Sequence, residues 1–238
     1  MIFVTPMRLM TIGIMYSLAV VLFLFLALKV LKRGKAITNK YMGIYFLWMG
    51  ITMSLNVVYV IWDDEVVIAG LANVVAASML FAQVFLLLFV LIIRYSQAQI
   101  NKQKQVMWTA IAGLLGLGLF LVGWFGGAVF GTAPTTGDKV PVWEWYYSLY
   151  FFIVAGVFIL LTMINAYLAR KSFSDVTMRK RFTYFLIGMG FLFWLLGGNP
   201  WANLYAEWTF RTIFGYSALV ILPAAFLLYS SLGKEVAK

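Results

Sequence analysis

Residues 170–182 read Arg170-Lys-Ser-Phe-Ser-Asp-Val-Thr-Met-Arg-Lys-Arg-Phe182. Five cations (Arg170, Lys171, Arg179, Lys180 and Arg181) stand beside one acid, Asp175, and apolar sequence runs away from both ends. Charge is costly in hydrocarbon unless it is paired or hydrated. The stretch therefore reads as a loop between two apolar segments, held at one membrane surface. Its sign says which surface, because Lys and Arg gather on cytoplasmic loops. Ser174 or Asp175 is placed to cap the helix that follows. The five cations are candidates for docking anionic lipid headgroups or a cytoplasmic partner.

Composition agrees with a membrane setting. The 238 residues are 64% hydrophobic and 11% charged, with a mean hydropathy of +0.95. A soluble domain is about 45–50% apolar and about 25% charged. The net charge of +10 follows from cationic cytoplasmic loops and calls for no nucleic-acid partner. The chain has neither cysteine nor histidine. That removes disulfides and thiol chemistry, and with them the commonest metal ligand and the usual proton exchanger near neutral pH. No cofactor is implied, and zinc hydrolysis is excluded.

Working outward from the basic loop, seven apolar segments can be counted, at 10–31, 41–62, 66–93, 106–130, 143–168, 182–198 and 209–231. A span needs about 20 residues, with about 17–25 as the usual range. All seven qualify, and the third and fifth are long enough to tilt or protrude. The predicted fold is an all-α membrane protein, one bundle of seven transmembrane helices forming a single domain over 1–238. Fifteen of the 18 cations fall on one side: Lys29 to Lys40, Arg94 to Lys104, the five of the basic loop, and Lys234 and Lys238. Arg8, Lys139 and Arg211 face the other. The positive-inside rule then puts the amino terminus outside and the carboxyl terminus in the cytoplasm of a multi-pass cell-membrane (plasma-membrane) protein. Lys29-Val-Leu-Lys-Arg-Gly34 follows the first apolar run, so that run is expected to be an anchored span, not a cleaved signal peptide. Asp63-Asp64-Glu65 is expected to be a tight outer turn. Residues 131–142, rich in Gly, Pro and Thr, are expected to be the longest outer loop.

The outer side collects aromatics, including Trp62, Trp124, Trp143, Trp145, Trp194, Trp201 and Trp208. They fit an interfacial belt or, with the polar residues among them, an outward-facing pocket. The pocket would use Glu144, Asn199, Trp201, Glu207 and Arg211 as ligand-binding residues. Glu207 and Arg211 are four apart and share a helix face, so they can pair. Asn56, Asn73 and Gln83 lie deeper. They fit cross-helix hydrogen bonds or a solute path. Gly123, Gly127 and Gly131 recur every four residues, a ridge that lets an internal helix or a second protomer come close. No carboxylate lies at a span centre, which disfavours a coupled pump.

Three seven-span comparisons fail on residues. Retinal proteins need a lysine in the seventh span, and 209–231 has none. Arg94-Tyr95 follows Ile93, where G-protein-coupled receptors have an acid. SWEET-type sugar transporters carry prolines in several helices, but here only Pro223 lies within a span. Trp48, the run Phe89-Val-Leu-Ile-Ile-Arg-Tyr95, the segment Arg179-Lys-Arg-Phe-Thr-Tyr-Phe-Leu-Ile-Gly-Met-Gly190 and Gly197-Gly-Asn199 fit another group. In these the chain resembles the seven-span membrane sensor modules at the amino termini of bacterial and archaeal histidine kinases. No kinase domain follows. The resemblance implies sensing outside and signalling through a separate partner.

The expected function is therefore that of a non-enzymatic, prokaryotic membrane module, sensor-like or scaffolding. Its partners would be membrane lipids and a protein in the membrane or at the cytoplasmic face, with oligomeric state left open. An integral subunit of a larger membrane complex and a small-solute facilitator are the alternatives.

Overall fold

The computed structural model describes residues 9–60, 62, 64–132, 139–204 and 208–231. A π-helical stretch, Leu9–Tyr16, leads into α1 (Ser17–Leu31). Then come α2 (Ile37–Val60), α3 (Glu65–Gln99) and α4 (Lys102–Val122), which widens into a π-helical turn at Gly123–Gly127. Strands β1 (Ala128–Thr132) and β2 (Lys139–Trp143) follow, then α5 (Trp145–Ser172), α6 (Val176–Leu204) and α7 (Trp208–Ser217). A 3-10 turn, Ala218–Val220, joins α7 to α8 (Ile221–Ser230). Seven stretches are long and apolar enough to cross a membrane, the last being Ile213–Ser230.

α3 is the axis of the bundle. It packs on α2, α4 and α5, while α5 meets α6, α6 meets α8, and α8 returns to α1. Every residue from Ala82 to Ile92 is buried, so α3 needs apolar side chains all round, and it has them apart from Gln83. Up to the break at Ser96, where φ is +71°, Glu65–Tyr95 runs about 46 Å at about 1.5 Å per residue, well beyond a hydrocarbon core of about 30 Å. The outer helices instead show exposed apolar stripes spaced three or four apart: Leu18, Val21, Phe25 and Leu28 on α1, and Leu149, Ile153, Val157, Leu160 and Ile164 on α5. Patches of this extent are a liability in water and are at home against lipid tails.

Polar side chains start three helices. The Asp64 carboxylate accepts from Val67 N at 3.0 Å to begin α3, and Asn101 Oδ1 accepts from Lys104 N at 3.0 Å to begin α4. Asp175 accepts from Thr177 N at 2.9 Å and Met178 N at 3.3 Å, and so is the cap of α6. Each satisfies a backbone N–H that has no partner inside its own helix.

The helix ends sort into two sets. At the basic end, α1 meets α8 through Arg33 and Tyr229, α3 meets α5 through Arg94 and Asn165, and α2 meets α4 through Tyr41 and Gln105. At the aromatic end lie the β-hairpin and the ends of α2 and α6.

Seven long apolar helices agree with the expected all-α bundle, and several details within it differ from expectation. One short strand pair is added to the helices. Residues 128–132 and 139–143 form two antiparallel strands, pairing Ala128 with Trp143 and Thr132 with Lys139. Val129, Val140 and Val142 suit a pleated ladder, and Gly126, at φ +103°, turns the chain out of the helix. The glycine ridge is likewise not a helix face. A Cβ on Gly127 would come within 2.9 Å of the Tyr147 ring, and one on Gly131 within 2.5 Å of Val142. These glycines serve internal packing against different neighbours. The sixth span does not stop before Asn199, because α6 continues through Pro200 to Leu204. The seventh is broken at Ala218–Val220. Pro223 has no N–H for the Leu219 carbonyl, and its ring is tolerated in the first turn of α8.

Candidate functional site

At the aromatic end, the five residues expected to form a pocket do not all converge. Arg211, on α7 and half-buried, donates from Nη2 to the Pro141 carbonyl at 2.6 Å and to Asn203 Oδ1 at 2.8 Å. Asn203 Nδ2 in turn donates to Asn199 Oδ1 at 3.0 Å. The structure thus brings Asn199, Asn203 and Arg211 together on β2. The guanidinium clamps the hairpin to α6 with charge-assisted bonds, stronger than neutral ones. Trp201 turns elsewhere, with its ring edge-on to Phe152 of α5 at 6.3 Å. Glu144 starts α5 with an exposed side chain, and its N–H donates to the Gly127 carbonyl at 2.8 Å. Glu207 lies outside the described residues, so its pairing with Arg211 does too.

The aromatics divide between the two roles expected for them. Trp62, Trp124, Trp145, Trp194 and Trp201 point outward, as a belt does. Trp143 turns inward beside Tyr147, with their rings edge to face at 4.8 Å. Neither Trp143 Nε1 nor the Tyr147 hydroxyl has a hydrogen-bond partner.

The deeper polar residues do not bridge helices as expected. Gln83 Nε2 donates within its own helix, to the Met79 carbonyl at 3.2 Å. Asn73 is buried against Gly123 of α4, and its Oδ1 has no hydrogen-bond partner. Asn165 does link helices, accepting from Arg94 Nη1 at 2.5 Å, but at the basic end.

At the basic end, the loop cations are partly engaged. Arg170 Nε donates to Thr183 Oγ1 at 2.8 Å, fastening α5 to α6, and Arg179 Nε donates to the Phe173 carbonyl at 2.6 Å. Arg181 Nη1 lies 3.9 Å from Met178 Sδ. Lys171 sits over the Tyr167 ring at 4.7 Å and Lys180 over Tyr184 at 6.0 Å. Lys171, Arg179 and Lys180 remain exposed. On the far side of the same end, Arg33 stacks on Tyr229 at 4.4 Å, with Lys29 over that ring at 5.2 Å.

Sequence reasoning missed one feature here. A groove of about 930 Å³ opens between α2, α3 and α4, reaching from Lys40, Gln97 and Lys102 to Phe81 and Gly113. Its wall is tied by the Tyr41 hydroxyl, which donates to Gln105 Oε1 at 2.7 Å, while Gln105 Nε2 donates to the Ile100 carbonyl at 2.7 Å. The three helices are adjacent only in space, and no periodicity in one of them points to a gap between two others. Gln105, the last polar residue of the Lys102-Gln-Lys-Gln105 start of α4, was the available signal.

No protein-family model matches the chain, and no curated protein is similar to it by sequence.

Proposed function

We propose that the chain is a non-enzymatic seven-span membrane module, sensor-like or scaffolding, that docks a protein partner on a cytoplasmic basic end. Its aromatic end and amino terminus face outside. One observation carries this. Among the described residues, every cation except Lys139 and Arg211 lies at the end formed by the α1–α2, α3–α4 and α5–α6 connections. Such segregation is what the positive-inside rule produces. Arg211 and Asn203 hold the hairpin at the other end, so the aromatic end is braced and the exposed cations Lys171, Arg179 and Lys180 are left for a partner. The absence of His and Cys leaves little for catalysis to work with.

Orientation is tested directly, because the chain has no native thiol. With Ser174→Cys and Glu144→Cys made singly in intact cells, an impermeant maleimide should label only the second. The opposite pattern overturns the orientation. Docking is tested by extraction in native lipid and mass spectrometry. A stoichiometric protein should co-purify and be released when Lys171, Arg179 and Lys180 are all replaced by Gln. Purification with no protein partner overturns it.

The subunit reading draws on the glycine ridge and on the lack of an effector domain among the 238 residues, and the facilitator reading on a path past Asn56, Asn73 and Gln83; unchanged flux in liposomes after replacing all three by Ala would remove the second.

A further inference from the structure

The groove between α2, α3 and α4 is amphipathic along its length. Lys40 and Lys102 stand at one end of the groove, both exposed, and neither meets an anionic partner among the described residues. Gln97 and Asn101 join them there. Farther along α4 the lining becomes mainly apolar, with Val106, Ala110 and Gly113 facing Phe81 of α3, and with Thr109 among them, its hydroxyl turned back to the Gln105 carbonyl at 2.9 Å. From Lys102 to Gly113 is about 16 Å at about 1.5 Å per residue, close to half of a hydrocarbon core of about 30 Å. The groove therefore spans one leaflet, with its cationic level where headgroups lie.

Phe81 and Gly113 approach each other along the apolar part of the groove. Phe81 is held edge-on to Trp48 at 5.1 Å and to Phe85 at 5.3 Å. Gly113 presents no side chain to it, and a Cβ there would sit 3.8 Å from the ring, in ordinary contact. In the buried wall, the Tyr41–Gln105 hydrogen bond ties α2 to α4.

We propose that this groove is a binding site for one anionic phospholipid of the cytoplasmic leaflet. The phosphate sits between the Lys40 and Lys102 ammonium groups, and one acyl chain lies along Val106, Ala110, Gly113 and Phe81. Charge complementarity selects an anionic headgroup, and the apolar depth selects a lipid over a soluble phosphate. The proposal rests on the reading of the chain as membrane-spanning. It does not require the docking of a protein partner.

The test is native mass spectrometry of the full chain in detergent micelles, supplied with dioleoylphosphatidylglycerol or dioleoylphosphatidylcholine. One phosphatidylglycerol should be retained in preference. Lys40→Gln and Lys102→Gln should each weaken it by about fivefold. Gly113→Leu, which fills the groove, should abolish retention without lowering the melting temperature. Should that variant fold poorly, the lysine variants, both at exposed positions, decide alone. Equal retention of the two lipids, or no effect of the lysines, would mean a non-selective lipid annulus and would overturn the proposal. So would displacement by inorganic phosphate, or loss of the lipid from the Lys171/Arg179/Lys180 variant and not from the groove variants. Micelles have no leaflets and the assay contains no partner, so failure here leaves the orientation and docking experiments to stand on their own.

Discussion

Gly123→Ala is the substitution whose outcome the packing constrains most tightly. A Cβ at residue 123 would lie 2.6 Å from Asn73 Cγ and 2.9 Å from Asn73 Nδ2, and closer still to Oδ1. Real Cβ contacts do not reach these distances, so α4 or the amide must move. The amide has little room, since Asn73 is 1% exposed. Overpacking of this kind costs about 1–3 kcal/mol. For a chain of this length, with a shift of about 2–4 °C per kcal/mol, that is a loss of roughly 4–8 °C at the middle of the range. The decisive variant is the double one. Asn73→Ala removes all three clashing atoms and, because Oδ1 has no partner, forfeits no hydrogen bond through that atom. Gly123→Ala in the Asn73→Ala background should therefore be tolerated, giving a coupling of about 1–3 kcal/mol between the sites. Thermal unfolding in micelles of the four proteins measures it. An undiminished loss in the Asn73→Ala background would refute the contact. A harmless Gly123→Ala single variant would refute the close approach of α3 and α4.

Arg211→Ala should free the hairpin, costing about 2 kcal/mol for hydrogen bonds from a charged donor, and a thermal melt should show it. Arg211→Lys should recover only part of the loss, because one ammonium does not reproduce the planar fork. Tyr41→Phe leaves the buried Gln105 Oε1 without its donor, and a loss of about 1–3 kcal/mol in the same melt is expected. Asp175→Ala removes the α6 cap and should cost about 1 kcal/mol, whereas Asp175→Asn should cost much less. Amide hydrogen exchange should then rise at Thr177 and Met178 and nowhere in α3.

The number of helices long and apolar enough to cross a membrane was legible because apolar length is a local property. A helix must satisfy its own backbone in hydrocarbon, and about 20 apolar residues are needed whatever the neighbours do. The Asp175 cap was legible for the same reason, since its partners are two and three residues away. What failed was the reading of glycines and deep amides by spacing alone. Gly123, Gly127 and Gly131 do recur every four residues, but the helical period ends at Gly127, so that spacing no longer describes one face. The strand pair escaped notice because Ala128–Thr132 and Lys139–Trp143 are short and are recognisable as strands only once β1 and β2 pair.

Arg211 and the groove mark the boundary most clearly. By itself the chain determined seven apolar helices and the clustering of cations in the segments between them, both carried by residues close in sequence. Only the tertiary structure decided that α3 is the axis, that Arg211 serves the Pro141 carbonyl, and that Lys40 and Lys102 flank one groove. Those pairs are 70 and 62 positions apart along the chain. Side chains that distant meet only after the helices have chosen neighbours, and that choice is made by shape and packing, which no single helix encodes.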